Sequence, residues 1–98
     1  MIVQYDITAD SWTAITSAGE SGSCWLDEQG DGEGGKVDVR LFHDSSTPDD
    51  DDLTKGKRVY KPKGNNDLMT FEADDTTDIY YARCANTGDT ATISVDAV

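Results

Sequence analysis

Basic residues are scarce in this chain. It has eight lysines and arginines against 20 aspartates and glutamates, and a net charge of −12 at neutral pH. Binding to a nucleic-acid backbone requires clustered Lys and Arg, and anionic membranes attract basic segments. We therefore expect neither nucleic acid nor a membrane among its partners. Such acidity is typical of a solvated surface, of salt adaptation, of a protein that faces a basic partner, or of one that imitates DNA.

Residues that carry catalysis or bind transition metals are also few. His43 is the only histidine, and the two cysteines, Cys24 and Cys84, are 60 positions apart. Classical Ser-His-Asp or Cys-His catalysis would have to use His43, which we expect to be an exposed residue at a strand end. One His and two distant Cys form no zinc-binding pair. The sequence predicts no enzyme, no cofactor and no metal site.

The cysteines are too sparse for a disulfide scaffold. Each lies within a predicted strand, so we expect both to be small, buried, apolar side chains. A disulfide between Cys24 and Cys84 stays open if their strands are neighbours.

Long apolar runs are absent as well. No segment approaches the length of a membrane span, and Met1–Asp6 lacks the charged lead and apolar run of a signal peptide. We expect a soluble protein made in a cytoplasm. Hydrophobic residues make up 36% of the chain, and a single domain of this size, residues 1–98, buries only about two-thirds of its unfolded surface. Its core is therefore thin, and oligomerisation would support it.

What the chain does contain is alternation of apolar and polar residues, which is typical of strands with one buried face. It occurs in Ile2–Ile7, Ser23–Glu28, Lys36–His43, Val59–Tyr60, Leu68–Phe71 and both halves of Ile79–Val95. Asp10 or Ser11 could cap one helical turn over Trp12–Thr16, where a short strand fits equally well. The fold class predicted is all-β: a single-domain antiparallel β-sandwich or small barrel of about seven short strands with at most one helical turn.

Two strands are the clearest guides to the core. Lys36–His43 has an inner row and an outer row, namely Val37, Val39 and Leu41 against Asp38, Arg40 and Phe42. Ile79–Val95 is predicted to be a hairpin, because Ala85–Asp89 supplies Asn and Gly for a tight turn. In its first strand Tyr80, Ala82 and Cys84 face one way, while Ile79, Tyr81 and Arg83 face the other.

Opposite charges meet in the middle of the chain. The acidic run Asp49–Asp52, which could hold a cation loosely, precedes a basic segment. This segment either pairs within the molecule or between copies, or docks against an acidic partner. The candidate partner-binding residues are Lys55, Lys57, Arg58, Tyr60, Lys61 and Lys63, together with Tyr80 as an exposed aromatic.

Four short motifs resemble a known group of proteins. They are Trp12–Ile15 (WTAI), Gly22–Leu26 (GSCWL), Ile79–Arg83 (IYYAR) and Ala91–Val95 (ATISV). With them the chain resembles the small β-rich decoration, or cement, and head-fibre attachment proteins of tailed bacteriophages. The resemblance implies a β-sandwich or β-tulip-like domain that binds the outer capsid surface, often as a homotrimer, and brings no catalytic residues.

The function expected first is therefore that of a non-enzymatic virion protein whose partner is a major capsid protein. Repetition of weak identical contacts around a shell would supply avidity. One alternative is an acidic DNA mimic that inhibits a nucleic-acid-binding enzyme, although the basic segment Lys55–Lys63 argues against it. Another is a sugar-binding β-module, which needs an exposed platform such as Trp25 or Tyr80.

Overall fold

The protein is an all-β molecule built from eight short strands. The computed structural model describes residues 2–28, 37–48, 56–59 and 69–98, and no helix occurs among them. The strands are β1 (Ile2–Thr8), β2 (Thr13–Ala14), β3 (Gly22–Glu28), β4 (Val39–Asp44), β5 (Lys57–Val59), β6 (Met69–Phe71), β7 (Ile79–Cys84) and β8 (Thr90–Ala97). The segment after Asp10 thus forms the short strand β2 and not a helical turn.

The strands form two antiparallel four-stranded sheets. The first has the order β1-β8-β3-β6 and the second the order β2-β7-β4-β5, and every pair is antiparallel. One apolar cluster draws residues from both sheets. The predicted all-β class is confirmed, and the arrangement is that of a small sandwich.

The predicted hairpin at Ile79–Val95 is wrong. β7 lies in the second sheet and β8 in the first, so the turn between them carries the chain from one sheet to the other. Each is an interior strand with two lateral neighbours already, β2 and β4 for β7, and β1 and β3 for β8. Their backbone groups are therefore satisfied without pairing to each other. Gly88 takes the positive φ of 87° that the turn needs, whereas Asn86 does not.

The inner row predicted for β4 is confirmed. Val37, Val39 and Leu41 are each at most 4% exposed and belong to the apolar cluster between the sheets. The opposing sheet contributes Ile7, Cys24, Leu26, Ala91, Ile93 and Val95 to the same cluster. Both cysteines are buried free thiols on different sheets, and burial raises the pKa of each to about 12.

One expectation about β7 needs correction, because the strand is buried on both faces. Tyr80, Ala82 and Cys84 point into the core as the alternation predicts. Tyr81 and Arg83 point to the other side, yet they are only 4% and 5% exposed. The connection from β1 to β2 covers this outer side of β7. There the Arg83 guanidinium donates hydrogen bonds to the backbone carbonyl of Ala9.

Candidate functional site

The predicted contact residues fall in different places. Lys57 and Arg58 lie on the edge strand β5, where Lys57 is exposed and Arg58 is half-buried. Tyr80 is 7% exposed and packs on Phe71 with ring centroids 4.5 Å apart. The expectation that Tyr80 is an exposed aromatic is wrong. Its position in the same row as Ala82 and Cys84 was a signal in the sequence that Tyr80 is buried. The other candidates, Lys55, Tyr60, Lys61 and Lys63, and the acidic run Asp49–Asp52 lie outside the described residues.

All three arginines of the chain lie in one row across the second sheet. Arg40 on β4 is directly opposite Arg83 on β7 and directly opposite Arg58 on β5. Residues that face each other across adjacent strands project from the same side of a sheet. Since Val39 and Leu41 point into the core, this row lies on the outer side. We call this outer side of β2-β7-β4-β5 the arginine face.

One carboxylate holds the row in place. The Arg40 guanidinium donates from Nε and Nη2 to the two oxygens of Asp38, at 2.7 and 2.8 Å. Arg58 Nε lies 3.7 Å from Oδ1 of the same carboxylate. A bidentate Arg–carboxylate pair fixes the plane of the guanidinium. Asp38 therefore orients Arg40 and also lies close to Arg58.

Aromatic side chains accompany the arginines. Phe42 is directly opposite Tyr81 on the adjacent strand, so both project from the arginine face. Trp12 contacts Phe42, with ring centroids 6.1 Å apart and planes tilted by 49°. Trp12 and Tyr81 are buried while Phe42 is half-buried. Arg40, Arg58 and Phe42 are thus partly accessible on this face and lie beside buried aromatics, and Asp44, two residues after Phe42 in β4, projects from the same side.

Residues of these types are common at protein-binding surfaces. Arg and aromatic residues are enriched at the centres of protein interfaces, whereas Lys, Glu and Asp are depleted there. Among the described residues this face carries three guanidinium groups and two carboxylates, those of Asp38 and Asp44, so in a chain with a net charge of −12 it is a local exception. Its charge suits an acidic protein surface. The sequence could not show this, because Arg40, Arg58 and Arg83 are distant in the chain.

Lys57 belongs to a different place from Arg58. It is opposite Leu41 in the ladder, and therefore points to the other side of the sheet. There it lines a cavity of about 420 Å³ at the open edge between the sheets, together with Phe71, Glu72 and Tyr80. The basic segment is thus divided between two environments by the alternation of strand residues.

His43 lines the same cavity. It is within β4 and pairs with Tyr80 in the ladder, with stacked rings 5.0 Å apart. Its side chain is 39% exposed and its Nδ1 is 2.8 Å from Oδ2 of Asp78. His43 thus lies beside the end of β4 with its side chain partly exposed, as expected, while Tyr80 and Asp78 hold its ring. Asp78 is 35 positions away, and no local pattern linked the two.

Trp25 is the remaining aromatic that the sequence singled out. It is half-buried and opposite Ser94, on the outer side of the first sheet. Beside it a bulge displaces Asp27, whose carboxylate accepts hydrogen bonds from Ser94 Oγ and Gln4 Nε2. Trp25 thus sits on a polar sheet face with part of its surface covered, unlike the open platform expected of a sugar-binding module.

None of the described residues belongs to a helix long and apolar enough to span a membrane. A scan against protein-family models found no matching family, and searches of curated proteins and of solved structures found no match. The function must therefore be inferred from the residues themselves.

Proposed function

We propose that this chain is a non-enzymatic decoration protein of a bacteriophage head, which binds the outer capsid surface through its arginine face. The partner is the major capsid protein, and the protein acts in the virion. It acts by binding alone, through contacts that are repeated at many identical positions on the shell. Copies of the chain associate at each position, with a trimer favoured.

The observation that carries the proposal is the gathering of every arginine onto one aromatic-backed sheet face. The remainder of the molecule is strongly acidic. An acidic capsid surface would therefore attract the arginine face and repel the other surfaces of the protein. The all-β sandwich, and the resemblance of four motifs to those of phage decoration proteins, support the same function.

The test is co-sedimentation of the purified protein with capsids that lack it. We expect saturable binding with a fixed number of copies per shell, and weaker binding as salt is raised, because screening reduces charge-dependent attachment. Replacing Arg58 with Gln should lower the affinity about tenfold, as loss of a contacting arginine at an interface does.

A matched control is Thr70→Glu. Both changes move the net charge from −12 to −13, but Thr70 is an exposed residue of β6, in the sheet that does not carry the arginine face. Thr70→Glu should bind as the parent protein does. Capsids that leave the protein in the supernatant, or an Arg58→Gln variant that binds no worse than the control, would contradict the proposal.

A further inference from the structure

A histidine and two carboxylates converge at the end of the second sheet, away from the arginine face. His43 Nδ1 is 2.8 Å from Oδ2 of Asp78 and 3.7 Å from Oδ2 of Asp74. One ligand atom from each of the three residues lies within 4.8 Å of the others. His43 comes from β4, while the aspartates come from the loop before β7, so the cluster joins two parts of the fold.

Two of these three groups, the Asp78 carboxylate and the His43 ring, are held in place by neighbouring residues. The Asp78 carboxylate is 6% exposed, and its Oδ2 also accepts a hydrogen bond from the Asp74 backbone N–H at 3.0 Å. The His43 ring is stacked on Tyr80, whose hydroxyl donates to the carbonyl of Glu72. By contrast, the Asp74 side chain is 76% exposed. Two ligands are therefore preorganised, and the third is free to adjust from the solvent side.

The donor set and the spacing both suit a transition metal. A tetrahedral ion bound at about 2.0–2.2 Å to nitrogen and oxygen holds those ligand atoms about 3.3 Å apart. The two His43 distances, 2.8 and 3.7 Å, lie on either side of that value. Imidazole favours zinc and its neighbours, whereas calcium and magnesium prefer oxygen ligands alone. One imidazole with two carboxylates is therefore a zinc-type set with solvent-facing positions left over.

We infer that His43, Asp74 and Asp78 form a binding site for a divalent transition-metal ion of the zinc type. The ion takes the place of the proton between His43 Nδ1 and Asp78 Oδ2, and the neutral imidazole carries its proton on Nε2. The ion clamps the loop containing Asp74 and Asp78 to β4 and stabilises the folded chain. This site goes beyond the proposed capsid attachment and is independent of it.

The experiment titrates the intact protein with Zn²⁺ by calorimetry in a buffer with excess Ca²⁺, which occupies sites made of carboxylates alone. We expect one Zn²⁺ per chain and a higher melting temperature with Zn²⁺, because binding to the native state stabilises it. His43 is the only histidine and both cysteines are buried, so zinc binding through nitrogen can be located without ambiguity.

Two variants and a control decide the outcome. His43→Gln and Asp74→Asn should each weaken Zn²⁺ binding by about tenfold or more, and Asp74 is exposed enough that its replacement leaves folding intact. The control Asp44→Asn removes a carboxylate next to His43 in the chain, on the opposite side of β4, and should bind as the parent does. Absence of zinc binding in the parent protein, or equal binding by all the variants, would overturn the assignment.

Discussion

Arg83 is a buried guanidinium that holds a loop. It is 5% exposed, and its Nε and Nη2 donate to the backbone carbonyl of Ala9 at 2.9 and 2.7 Å. Burial of an ionised group is costly unless its hydrogen bonds are made, and a backbone carbonyl left without a donor is costly too. The pair therefore secures the connection from β1 to β2 against the outer side of β7.

Replacement of Arg83 with Met should lower the free energy of unfolding by about 1–3 kcal/mol, because the Ala9 carbonyl loses its charged donor while remaining covered. Urea denaturation followed by tryptophan fluorescence measures the change. The control is Arg58→Met, whose parent side chain is 37% exposed and whose loss should alter the free energy of unfolding by about 0.5 kcal/mol or less. Equal effects of the two substitutions would show that Arg83 has no anchoring role.

Individual residues were predictable where their neighbours in the chain decide their environment. Val37, Val39 and Leu41 form the inner row because alternation alone sets the direction of strand residues. The contacts of Arg83 and His43 were not predictable, since the groups that hold them, Ala9 and Asp78, are 74 and 35 positions distant. Alternation tells which side a residue faces, but not what the rest of the chain places over that side.

At the scale of the strand, β3 depends on a close approach to β8. A Cβ atom built on Gly22 falls on the backbone oxygen of Asp96, well inside van der Waals contact. Gly22 lies between Phe71 on one neighbouring strand and Ala97 on the other. Glycine within a strand commonly marks such an approach of two backbones, so the end of the β3–β8 ladder requires a residue without a side chain.

Gly22→Ala should therefore lower the free energy of unfolding by about 1–3 kcal/mol, because the strands must separate to admit the methyl group. Thermal and urea unfolding measure it. Ser23→Ala, the adjacent position on the outer side of β3, should change the free energy of unfolding by about 0.5 kcal/mol or less. A Gly22→Ala protein as stable as the Ser23→Ala protein would contradict the close packing of β3 on β8.

The strands themselves were more predictable than their partners. Seven of the eight overlap segments that the sequence predicts to be strands. The eighth, β2, is a two-residue strand at the place left open between a strand and a helical turn. The sheet to which each strand belongs was missed for β7 and β8. A five-residue turn that contains Asn and Gly can either close a hairpin within one sheet or connect two sheets. The residues of the turn therefore do not distinguish these two arrangements.

At the scale of the whole molecule, excess negative charge opposes the folded state. The chain has 20 carboxylates and eight basic groups. The folded molecule has a radius of gyration of 12.5 Å, and like charges on its described residues are closer together than in the unfolded chain. Self-repulsion of this kind destabilises the compact state. Screening shortens its range to about 10 Å at 0.1 M salt.

The free energy of unfolding should therefore rise when sodium chloride is increased from about 0.01 to about 0.1 M, over which the screening length falls from about 30 to about 10 Å. Urea titrations at each salt concentration measure the change. The double variant Asp6→Asn with Asp10→Asn removes two exposed charges and should gain less from salt than the parent. A stability that is independent of salt, or that decreases, would mean that attractive pairs outweigh the repulsion.

The order of strands in the first sheet also governs when the protein can fold. β1 and β3 are both neighbours of β8, and the register joins Ile2 to Asp96. The chain between Ile2 and Asp96 must close into a loop before these strands can pair. Architectures dominated by such distant pairings fold slowly for this reason. On the ribosome, a nascent chain that has not yet reached Thr90 lacks the strand on which the first sheet is assembled. The first sheet therefore cannot assemble until β8 has been synthesised, so β8 and the strands on both sides of it fold together as one unit.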